Sequence, residues 1–369
     1  MTKKATSTKE DRPKVLLVGL FTPYNKLENQ EAYFDEFVSL IKTLEIEYDG
    51  THFTKLRHID KANFLTKGKQ QELTEICEKE KYEEVIFSET LSPLQERNLE
   101  ELLNCEVFDR EKLILEIFKK SAHTAEGKIQ VEMAEIDFLK TRLSGKGQEL
   151  AQQIGVIGVK GPGETAKEVL KRHLEDKFRQ AKKKLKALQR SRDVQRKQRL
   201  ESNTPLICLV GYTNAGKSTI LNQLTKSDVL VEDKLFATLD TTIKKYFIDG
   251  KKQILISDTV GFISDLPHHL IEAFKTTLDE LQFADILLCV IDSNNPVWQN
   301  QIKVVQNTLE ELKVNKPILY VFNKIDKLSE EKLKNLKQNL QDYEPHILIS
   351  AKSKDGIKPI VDFLQHYKF

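Results

Sequence analysis

The stretch LICLVGYTNAGKST, Leu206–Thr219, decides the fold of the C-terminal half of the chain. Its apolar start predicts a buried strand, which runs directly into the pattern Gly-x4-Gly-Lys-Ser and then into a helix. Glycines in such a loop let successive backbone N–H groups turn around a phosphate, the lysine bridges two phosphates, and the serine hydroxyl binds Mg²⁺. We therefore predict a phosphate-binding loop in an α/β domain. Its candidate nucleotide ligands are Gly211, Tyr212, Thr213, Asn214, Ala215, Gly216, Lys217, Ser218 and Thr219, with Ser218 also a metal ligand.

The base of the nucleotide is indicated by VFNKID, Val321–Asp326, which follows an apolar strand. In that position the Asp326 carboxylate accepts hydrogen bonds from N1–H and from the N2 amino group of guanine, a pair that adenine does not offer. The strand ILIS ends at Ser350, where the backbone can contact the guanine O6. GTP is therefore the predicted nucleotide. The base-side candidates are Asn323, Lys324, Ile325, Asp326, Ser350, Ala351 and Lys352.

Two further segments are predicted to contact the γ-phosphate and Mg²⁺. ILISDTVGF, Ile254–Phe262, places an Asp-x-x-Gly after a strand, so that Asp258 holds a water on Mg²⁺ and the Gly261 N–H meets the γ-phosphate. The other segment is LFATLDTT, Leu235–Thr242. The metal threonine is one of Thr238, Thr241 and Thr242, with Thr238 preferred. The candidates from both segments are Phe236, Ala237, Thr238, Leu239, Asp240, Asp258, Thr259, Val260 and Gly261.

The residue after Gly261 bears on catalysis. It is Phe262, at the position where Ras carries the glutamine that orients the attacking water. A phenyl ring has no group that positions water. We therefore expect slow hydrolysis by the isolated protein, with the missing group supplied by a partner, an ion, the substrate phosphates or another residue.

An alternation of strand and helix patterns precedes this domain. KVLLVGLF, Lys14–Phe21, and EEVIFSE, Glu83–Glu89, indicate buried strands, whereas Glu31–Leu44, Pro93–Leu103 and Glu111–Lys120 indicate helices. We predict an α/β protein with four parts. They are a disordered terminus (1–12), an N-terminal α/β domain (13–122), a helical hairpin or coiled-coil subdomain with a glycine-rich loop (123–201), and a C-terminal Ras-like P-loop GTPase domain (202–369).

The predicted hairpin carries a concentrated positive charge. Between Ala166 and Leu200 there are 14 Lys and Arg against 4 Asp and Glu, a net charge of +10. Apolar residues recur there at the three- and four-residue steps of a helix that packs on a partner helix, which we expect to be Glu126–Leu143. The charge is the footprint expected for a polyanion, and a solvated helix face is the alternative interpretation.

The loop between the two predicted helices, IGVIGVKGPGETAKEV (Ile154–Val169), is glycine-rich but lacks the spacing of a phosphate loop. It has two interpretations: a probe that faces RNA, and an ordinary helix connector in which Thr165 caps the next helix. We favour the probe. The RNA-contact candidates are Lys160, Gly161, Gly163, Lys182, Lys183, Lys184, Arg190 and Arg192.

Composition excludes several classes of protein. The chain has 369 residues, 39% of them apolar, which supplies cores for two or three domains and argues against general disorder. Its four cysteines lack the spacing of a zinc site and indicate reduced thiols. The N-terminus lacks the apolar segment of a secretory leader, and no stretch approaches the roughly 18 apolar residues of a membrane span. We expect a soluble, cytoplasmic monomer.

Several motifs together resemble the HflX family of GTPases, within the translation-factor-related class. The segments that carry the resemblance are DTVGFISDLPHHLIEAFKTTLDEL (Asp258–Leu281), LFATLD (Leu235–Asp240), DREKLILEIFKKSAHTAEGKIQVEMAEI (Asp109–Ile136) and the GPGET loop (Gly161–Thr165). The match of LFATLD favours Thr238 as the magnesium threonine. The chain departs from the family's pattern on both sides of GPGET, which bears on how the loop tip contacts its target.

The resemblance implies a GTP-hydrolysing factor that uses Mg²⁺, binds the large (50S) ribosomal subunit and its rRNA through the N-terminal and helical domains, is stimulated by the ribosome, and splits or rescues ribosomes under stress. The alternative is a GTP-gated RNA-binding factor for ribosome assembly without a splitting role. A P-loop kinase is a third interpretation, against which the NKID and SAK motifs argue. Neither DNA nor a membrane is an expected partner.

Overall fold

Two sheets organise the chain in the computed structural model, which describes residues 12–25, 29–143, 166–201, 204–225, 234–240, 242–250, 252–267, 270 and 278–369. The strands are β1 (Val15–Phe21), β2 (Gly50–Lys55), β3 (Glu84–Phe87), β4 (Glu106–Phe108), β5 (Leu206–Gly211), β6 (Thr242–Ile248), β7 (Lys252–Asp258), β8 (Ile286–Asp292), β9 (Ile318–Asn323) and β10 (His346–Leu348). The helices are α1 (Gln30–Leu44), α2 (Lys67–Glu80), α3 (Pro93–Leu103), α4 (Arg110–Ser121), α5 (Ala125–Arg142), α6 (Ala166–Glu201), α7 (Lys217–Thr225), α8 (Trp298–Glu311), α9 (Glu330–Gln338) and α10 (Lys358–His366). By internal contacts the chain divides into two compact units, Met1–Glu116 with Phe138–Leu174, and Ile117–Asp137 with Glu175–Phe369.

The first unit is built on a parallel four-stranded sheet in the order β2-β1-β3-β4. Every residue of β1 is buried, as expected for a central parallel strand that is covered on both faces. The two predicted strands are confirmed as β1 and β3, and the three predicted helices as α1, α3 and α4. Helix α3 begins where the sequence indicates, because Ser92 and Gln95 form a reciprocal capping box around Pro93.

Three elements of this unit are not evident from the sequence pattern. β2 alternates half-buried and exposed residues at the edge of the sheet, α2 buries only Leu73 and Cys77, and β4 has three residues. Each lacks the apolar run that marks a central strand or a strongly amphipathic helix. The two strands are instead specified by tertiary context, since β2 pairs with β1 and β4 pairs with β3.

A buried ion cluster joins α3, α4 and the end of α5 within the first unit. The Arg142 guanidinium donates to Glu96 Oε2 at 2.7 Å and to Asp109 Oδ2 at 2.9 Å, and its Cζ lies 3.5 Å from the centroid of the Phe138 ring. Asp109 also accepts backbone N–H bonds from Leu91 at 3.1 Å and Lys112 at 2.9 Å. Arg142 therefore compensates carboxylates that have little access to water.

Two predicted segments fall on residues outside the described ones. They are residues 1–11 of the predicted disordered terminus and the glycine-rich loop, with the candidates Lys160, Gly161 and Gly163. Arg12, the next residue after that terminal segment, donates from its two terminal guanidinium nitrogens to both carboxylate oxygens of Asp49, each at 2.9 Å. This bidentate contact holds the pKa of the Asp49 carboxyl below its usual range.

The second unit contains a six-stranded sheet in the order β10-β9-β8-β5-β7-β6. All its pairs are parallel except β6–β7, which forms a hairpin with Asp249-Gly250 at its turn, both at positive φ. One face carries the core around Ile207, Leu209 and Leu319, and the other the core around Cys208, Val210 and Phe322. The carboxyl ends of β5, β7, β8 and β9 thus meet at one edge, where open α/β sheets bind ligands.

Helix α6 is the predicted basic helix. Of the apolar residues that recur along it, Leu170, Leu174, Ala181 and Leu185 are buried, and Phe178 and Leu188 are half-buried. The RNA-contact candidates Lys182, Lys183, Lys184 and Arg190 are exposed, and the backbone of Arg192 is helical.

Within the described part of the chain, no helix combines the length and the apolar character that a membrane span requires.

Candidate nucleotide-binding site

The phosphate-binding loop joins β5 to α7, as its sequence predicts. Gly211 and Gly216 adopt φ of 146° and 100°, conformations that side chains rarely take. A Cβ at Gly216 would lie 2.3 Å from Asn323 Nδ2, and one at Gly211 would lie 2.2 Å from the Val290 carbonyl oxygen. Both glycines are therefore required by backbone conformation and by the close approach of β8 and β9.

Lys217 lies buried under this loop. Its Nζ donates to the carbonyl oxygens of Gly211 at 3.1 Å and Tyr212 at 2.9 Å. Burial lowers the pKa of the Lys217 ammonium to about 8, and the nearby Asp258 carboxylate opposes this shift. Burial in turn raises the pKa of Asp258, against the effect of Lys217. A desolvated cation held by carbonyl dipoles is a strong site for an anion such as a phosphate.

Three side-chain oxygens converge beside the lysine. Ser218 Oγ lies 2.5 Å from Asp258 Oδ2 and 2.8 Å from Thr238 Oγ1. The second carboxylate oxygen of Asp258 is buried and has no hydrogen-bond partner among the residues that the structure describes. Of the three candidate threonines, Thr238 is the one at this cluster: Thr242 lies in β6 opposite Asp258 in the ladder, and Thr241 is outside the described residues. Oxygen ligands of this kind suit a hard divalent cation.

An open cleft of about 440 Å³ lies over the loop. Gly261 closes one side of it tightly, since a Cβ there would be 2.8 Å from Thr213 Cγ2 and 3.1 Å from Lys217 Nζ. The Thr213 hydroxyl is buried and has no hydrogen-bond partner in the described part of the chain. The residues that line the cleft are Thr213, Asn214, Gly216, Lys217, Ser218, Thr219, Lys234, Phe236, Ala237, Thr238, Thr259 and Gly261.

The base-side residues are tied to the loop by a hydrogen-bond network. Asn323 donates from Nδ2 to the Ala215 carbonyl at 2.9 Å and accepts the Ala351 N–H at 2.9 Å. Lys324 Nζ donates to the Asn214 carbonyl and to Asp292, both at 2.8 Å. This network is buried at Asn323, so it holds the two loops in a fixed relation.

The carboxylate of Asp326 is exposed to solvent, close in sequence to Asn323 and Lys324 of this network. Ser350 Oγ donates to Asp326 Oδ1 at 2.6 Å, which orients the exposed carboxylate. Gly356 packs against the same turn, since a Cβ there would lie 2.0 Å from the Ser350 carbonyl oxygen. Ile325 and Lys352 complete this corner, Ile325 half-buried and Lys352 exposed.

Phe262 points away from the cleft. Its side chain is 3% exposed and packs in the core around Val210, Leu281 and Cys289. Its backbone is bonded to the phosphate-binding loop, with N–H donated to the Gly211 carbonyl at 3.1 Å and C=O accepting the Thr213 N–H at 2.8 Å. The side chain after Gly261 is therefore a core residue and has no access to a bound phosphate.

Several predicted candidates do not line the cleft, among them Leu239, Val260 and Asp240. Leu239 and Val260 are buried apolar residues beside it. The carboxylate of Asp240 is bonded to Thr124 and to the N–H of His123. Sequence reasoning missed Thr124 and two further residues of the site, Lys234 at the cleft and Asp292 beside Lys324. A signal existed for Lys234, which directly precedes the LFATLD segment, and for Asp292, which ends an apolar strand.

Three protein-family models match the chain. The model described as "GTP-binding GTPase N-terminal" matches residues 31–119, "GTP-binding GTPase Middle Region" matches residues 121–199, and "50S ribosome-binding GTPase" matches residues 206–324. The three regions follow one another along the chain, and the last contains both the phosphate-binding loop and Asn323.

Known proteins align with nearly the full chain. It is 39% identical over 360 residues to the GTPase HflX of Caldanaerobacter subterraneus, which covers 97% of this chain and 81% of the relative. It is 39% identical over 334 residues to the GTPase HflX of Escherichia coli, and this alignment covers 90% of this chain and 75% of the relative. The crystal structure of SsGBP in complex with GDP covers 95% of this chain and 99% of that chain at 23% identity, with a TM-score of 0.50, which is a likeness of fold.

Proposed function

This chain belongs to the HflX family of GTPases, and on that premise we propose that it is a GTP-hydrolysing factor that binds the large ribosomal subunit and splits or rescues ribosomes under stress. The observation that carries the proposal is that one chain holds both a GTPase site and a long, exposed cationic helix. The family model described as a 50S ribosome-binding GTPase supports the same partner.

The nucleotide is proposed to bind with its phosphates in the cleft and its base at Asp326. Lys217 then exchanges the carbonyl oxygens of Gly211 and Tyr212 for phosphate oxygens, which are better partners for a desolvated ammonium. Asn323 and Lys324 hold the base-side loop against the phosphate-binding loop. The remaining predicted contacts of this site stay predictions.

The residues beside the phosphate position fit Mg²⁺. Ser218 and Thr238 would hold it through their hydroxyls, and the buried, unpartnered oxygen of Asp258 would bind one of its waters. When bound, it would supply positive charge that stabilises the negative charge developing during phosphoryl transfer. Its presence would also give the buried Asp258 carboxylate a second positive partner beside Lys217.

Hydrolysis is proposed to be slow until the protein meets its partner. The chain can orient the phosphates through Lys217 and the Gly261 N–H, but the buried ring of Phe262 cannot orient the attacking water. A group from outside the site must therefore complete it. We propose that the ribosome-bound state supplies this group or brings it into place, so that GTP is hydrolysed only when the protein is bound to the ribosome.

The cationic helix α6 is the proposed contact for rRNA. Lys182, Lys183 and Lys184 form an exposed run, and Arg190 lies two turns further along. Few aromatic residues accompany them, so contact with phosphates is favoured over stacking on bases. The glycine-rich tip with Lys160, Gly161 and Gly163 stays a predicted RNA contact, as does Arg192.

Sedimentation of 70S ribosomes with this protein tests the proposal. With a non-hydrolysable GTP analogue the protein should co-migrate with large subunits, and with GTP the 70S peak should fall. Reversing the charge of Lys182, Lys183 and Lys184 to Glu should weaken co-migration by at least about 10-fold and lower the salt dependence of binding, because each lost phosphate contact removes a released counterion. GTP binding should be unaffected.

The matched control carries the same charge change on α9. Lys332, Lys334 and Lys337 are exposed there, and their triple change to Glu should leave co-migration intact. Unchanged 70S peaks and no co-migration would contradict the proposed partner. Co-migration with an unchanged 70S peak would favour the GTP-gated assembly factor, and equal effects of the two triple variants would exclude α6 as the contact.

A further inference from the structure

The carboxylate of Asp240, at the end of the LFATLD segment, is bound to the start of α5. Its Oδ2 accepts the N–H of His123 at 2.9 Å and that of Thr124 at 2.8 Å, and its Oδ1 accepts the Thr124 hydroxyl. Three donors on one carboxylate make charge-assisted bonds, which are about twice as strong as neutral ones. All these residues belong to the second unit.

Thr124 has a double role in this contact. It is the N-cap of α5, because its Oγ1 accepts the Gly127 N–H at 3.0 Å while it donates its own proton to Asp240. The positive end of the helix dipole favours the carboxylate at the same place. Gly127 leaves room for it, since a Cβ there would lie 2.2 Å from Asp240 Oδ1. We call Thr124 and Asp240 the switch clasp.

A second anchor lies four residues before Asp240. The ring of Phe236 packs edge-on against Phe118 of α4, with centroids 4.8 Å apart and planes at 86°, and both rings are fully buried. Phe236 has φ of 55°, a left-handed conformation that is strained for an aromatic residue and persists only where its surroundings hold it. The buried ring supplies that hold.

The residue between the two anchors, Thr238, contacts the cluster of side-chain oxygens formed with Ser218 and Asp258. Between Phe236 and Asp240, Leu239 is buried, and Thr238 is half-buried with its hydroxyl 2.8 Å from Ser218 Oγ. Contacts of Phe236 with α4 and of Asp240 with the start of α5 therefore hold both ends of the segment that carries Thr238. A switch segment ordered only by its nucleotide would need no such contacts.

We propose that Thr124 and Asp240 are positioning residues for GTP hydrolysis, which fix the segment around Thr238 so that its hydroxyl is presented to the metal of the GTP-bound site. The proposal rests on the proposed function, since it takes Thr238 as a ligand of Mg²⁺. It also moves Asp240 from the predicted nucleotide ligands to the support of the switch. The 123–127 segment of the middle region thereby becomes part of the catalytic apparatus of the GTPase domain.

Replacing Thr124 by Val tests the switch clasp at constant side-chain volume. The variant should need about 10-fold more Mg²⁺ for half-maximal single-turnover GTP hydrolysis, because one charge-assisted bond to Asp240 is lost. Its GDP affinity should stay within about 2-fold of wild type, because switch contacts to the metal depend on the γ-phosphate. Thr124→Ser keeps the hydroxyl and should restore the wild-type Mg²⁺ requirement.

Thr308→Val is the matched control. Its hydroxyl also bonds within a helix of the second unit, to the Val304 carbonyl at 2.8 Å, but far along the chain from the switch. This variant should hydrolyse GTP as wild type does. An equal rise in Mg²⁺ requirement in both Thr→Val variants would overturn the proposal, because it would show a general loss of helix stability.

A double-mutant cycle separates positioning from ligand binding. If Asp240 acts through Thr124, the Asp240→Asn and Thr124→Val effects on Mg²⁺ requirement should not add in the double variant. Additive effects, or a Thr124→Val protein with wild-type Mg²⁺ dependence, would overturn the switch clasp. A wild-type protein that hydrolyses no GTP at any Mg²⁺ concentration would instead contradict the proposed function itself, so the two failures are distinguishable.

Discussion

Asp326→Asn should change the nucleotide that the protein selects from GTP to xanthosine triphosphate. In the proposed site the carboxylate accepts two hydrogen bonds from guanine, whereas an amide can accept only one while it donates to the carbonyl that xanthine has at the same edge. We expect guanine nucleotide affinity to fall by about 10³-fold, since two charge-assisted bonds are lost and a donor is left facing a donor. Ser350 should still orient the new side chain.

Competition binding with both nucleotides measures this exchange. Asp342→Asn is the control, because Asp342 is an exposed aspartate of the same unit with no place at the site. It should keep the wild-type preference. If Asp326→Asn also kept its preference for GTP, the assignment of Asp326 to the base would be wrong, whatever the state of the phosphate-binding loop.

Arg142→Leu should unfold the first unit more easily than any exposed substitution does. The change leaves Asp109 and Glu96 buried without their shared cation, and breaking a buried pair in this way costs about 3–5 kcal/mol. The packing of Phe138 against the guanidinium is lost as well. Arg179→Leu is the control: its partner is Asp176, at 2.9 Å, both are exposed, and such pairs contribute about 1 kcal/mol or less.

The cysteines report on each unit separately. Cys77 and Cys105 are buried in the first unit, and Cys208 and Cys289 in the second, so a maleimide pulse at increasing urea followed by mass spectrometry reads both unfolding transitions in the intact chain. Arg142→Leu should expose Cys77 and Cys105 at lower urea and leave Cys208 and Cys289 unchanged. Loss of protection at all four together would show that the cluster does not act locally.

The loss of folding stability caused by Arg142→Leu should be larger at high pH. Burial raises the pKa of the Asp109 carboxyl to about 6, although Arg142 lowers it, so removal of Arg142 raises it further. A carboxyl whose folded pKa lies above its unfolded value of about 4 stabilises the fold below that value, and this stabilisation is lost as pH rises through the folded pKa. The deficit of Arg142→Leu should therefore be larger at about pH 8 than at about pH 6. An equal deficit at both values would contradict this account of Asp109.

The phosphate-binding loop could be predicted because its residues are local in sequence. Gly211, Lys217 and Ser218 lie in one short loop and the first turn of the helix that follows it. A guanine-specific site requires a carboxylate, and Asp326 lies in a short motif after a strand. The hairpin of β6 and β7 was equally local, since Asp249-Gly250 supplies the two positive φ values of its turn.

Contacts between distant segments were not predictable in this way. No periodicity links Thr124 to Asp240, which are 116 residues apart, or Arg142 to Asp109. Thr124 reads as an ordinary helix cap, and its hydroxyl satisfies that role while it also binds Asp240. Edge strand β2 could not be predicted from the sequence for a similar reason, because its pairing with β1 is decided by the rest of the sheet.

Single-turnover hydrolysis of GTP, with and without purified large ribosomal subunits, tests whether the ribosome completes this site. The buried ring of Phe262 cannot orient the attacking water, and we propose that the partner supplies the missing group. Saturating large subunits should therefore raise the rate constant by at least about 10-fold, in the manner of a partner that completes a GTPase site. A rate that is the same with and without subunits, in a protein that binds GTP, would contradict the claim that the ribosome completes this site.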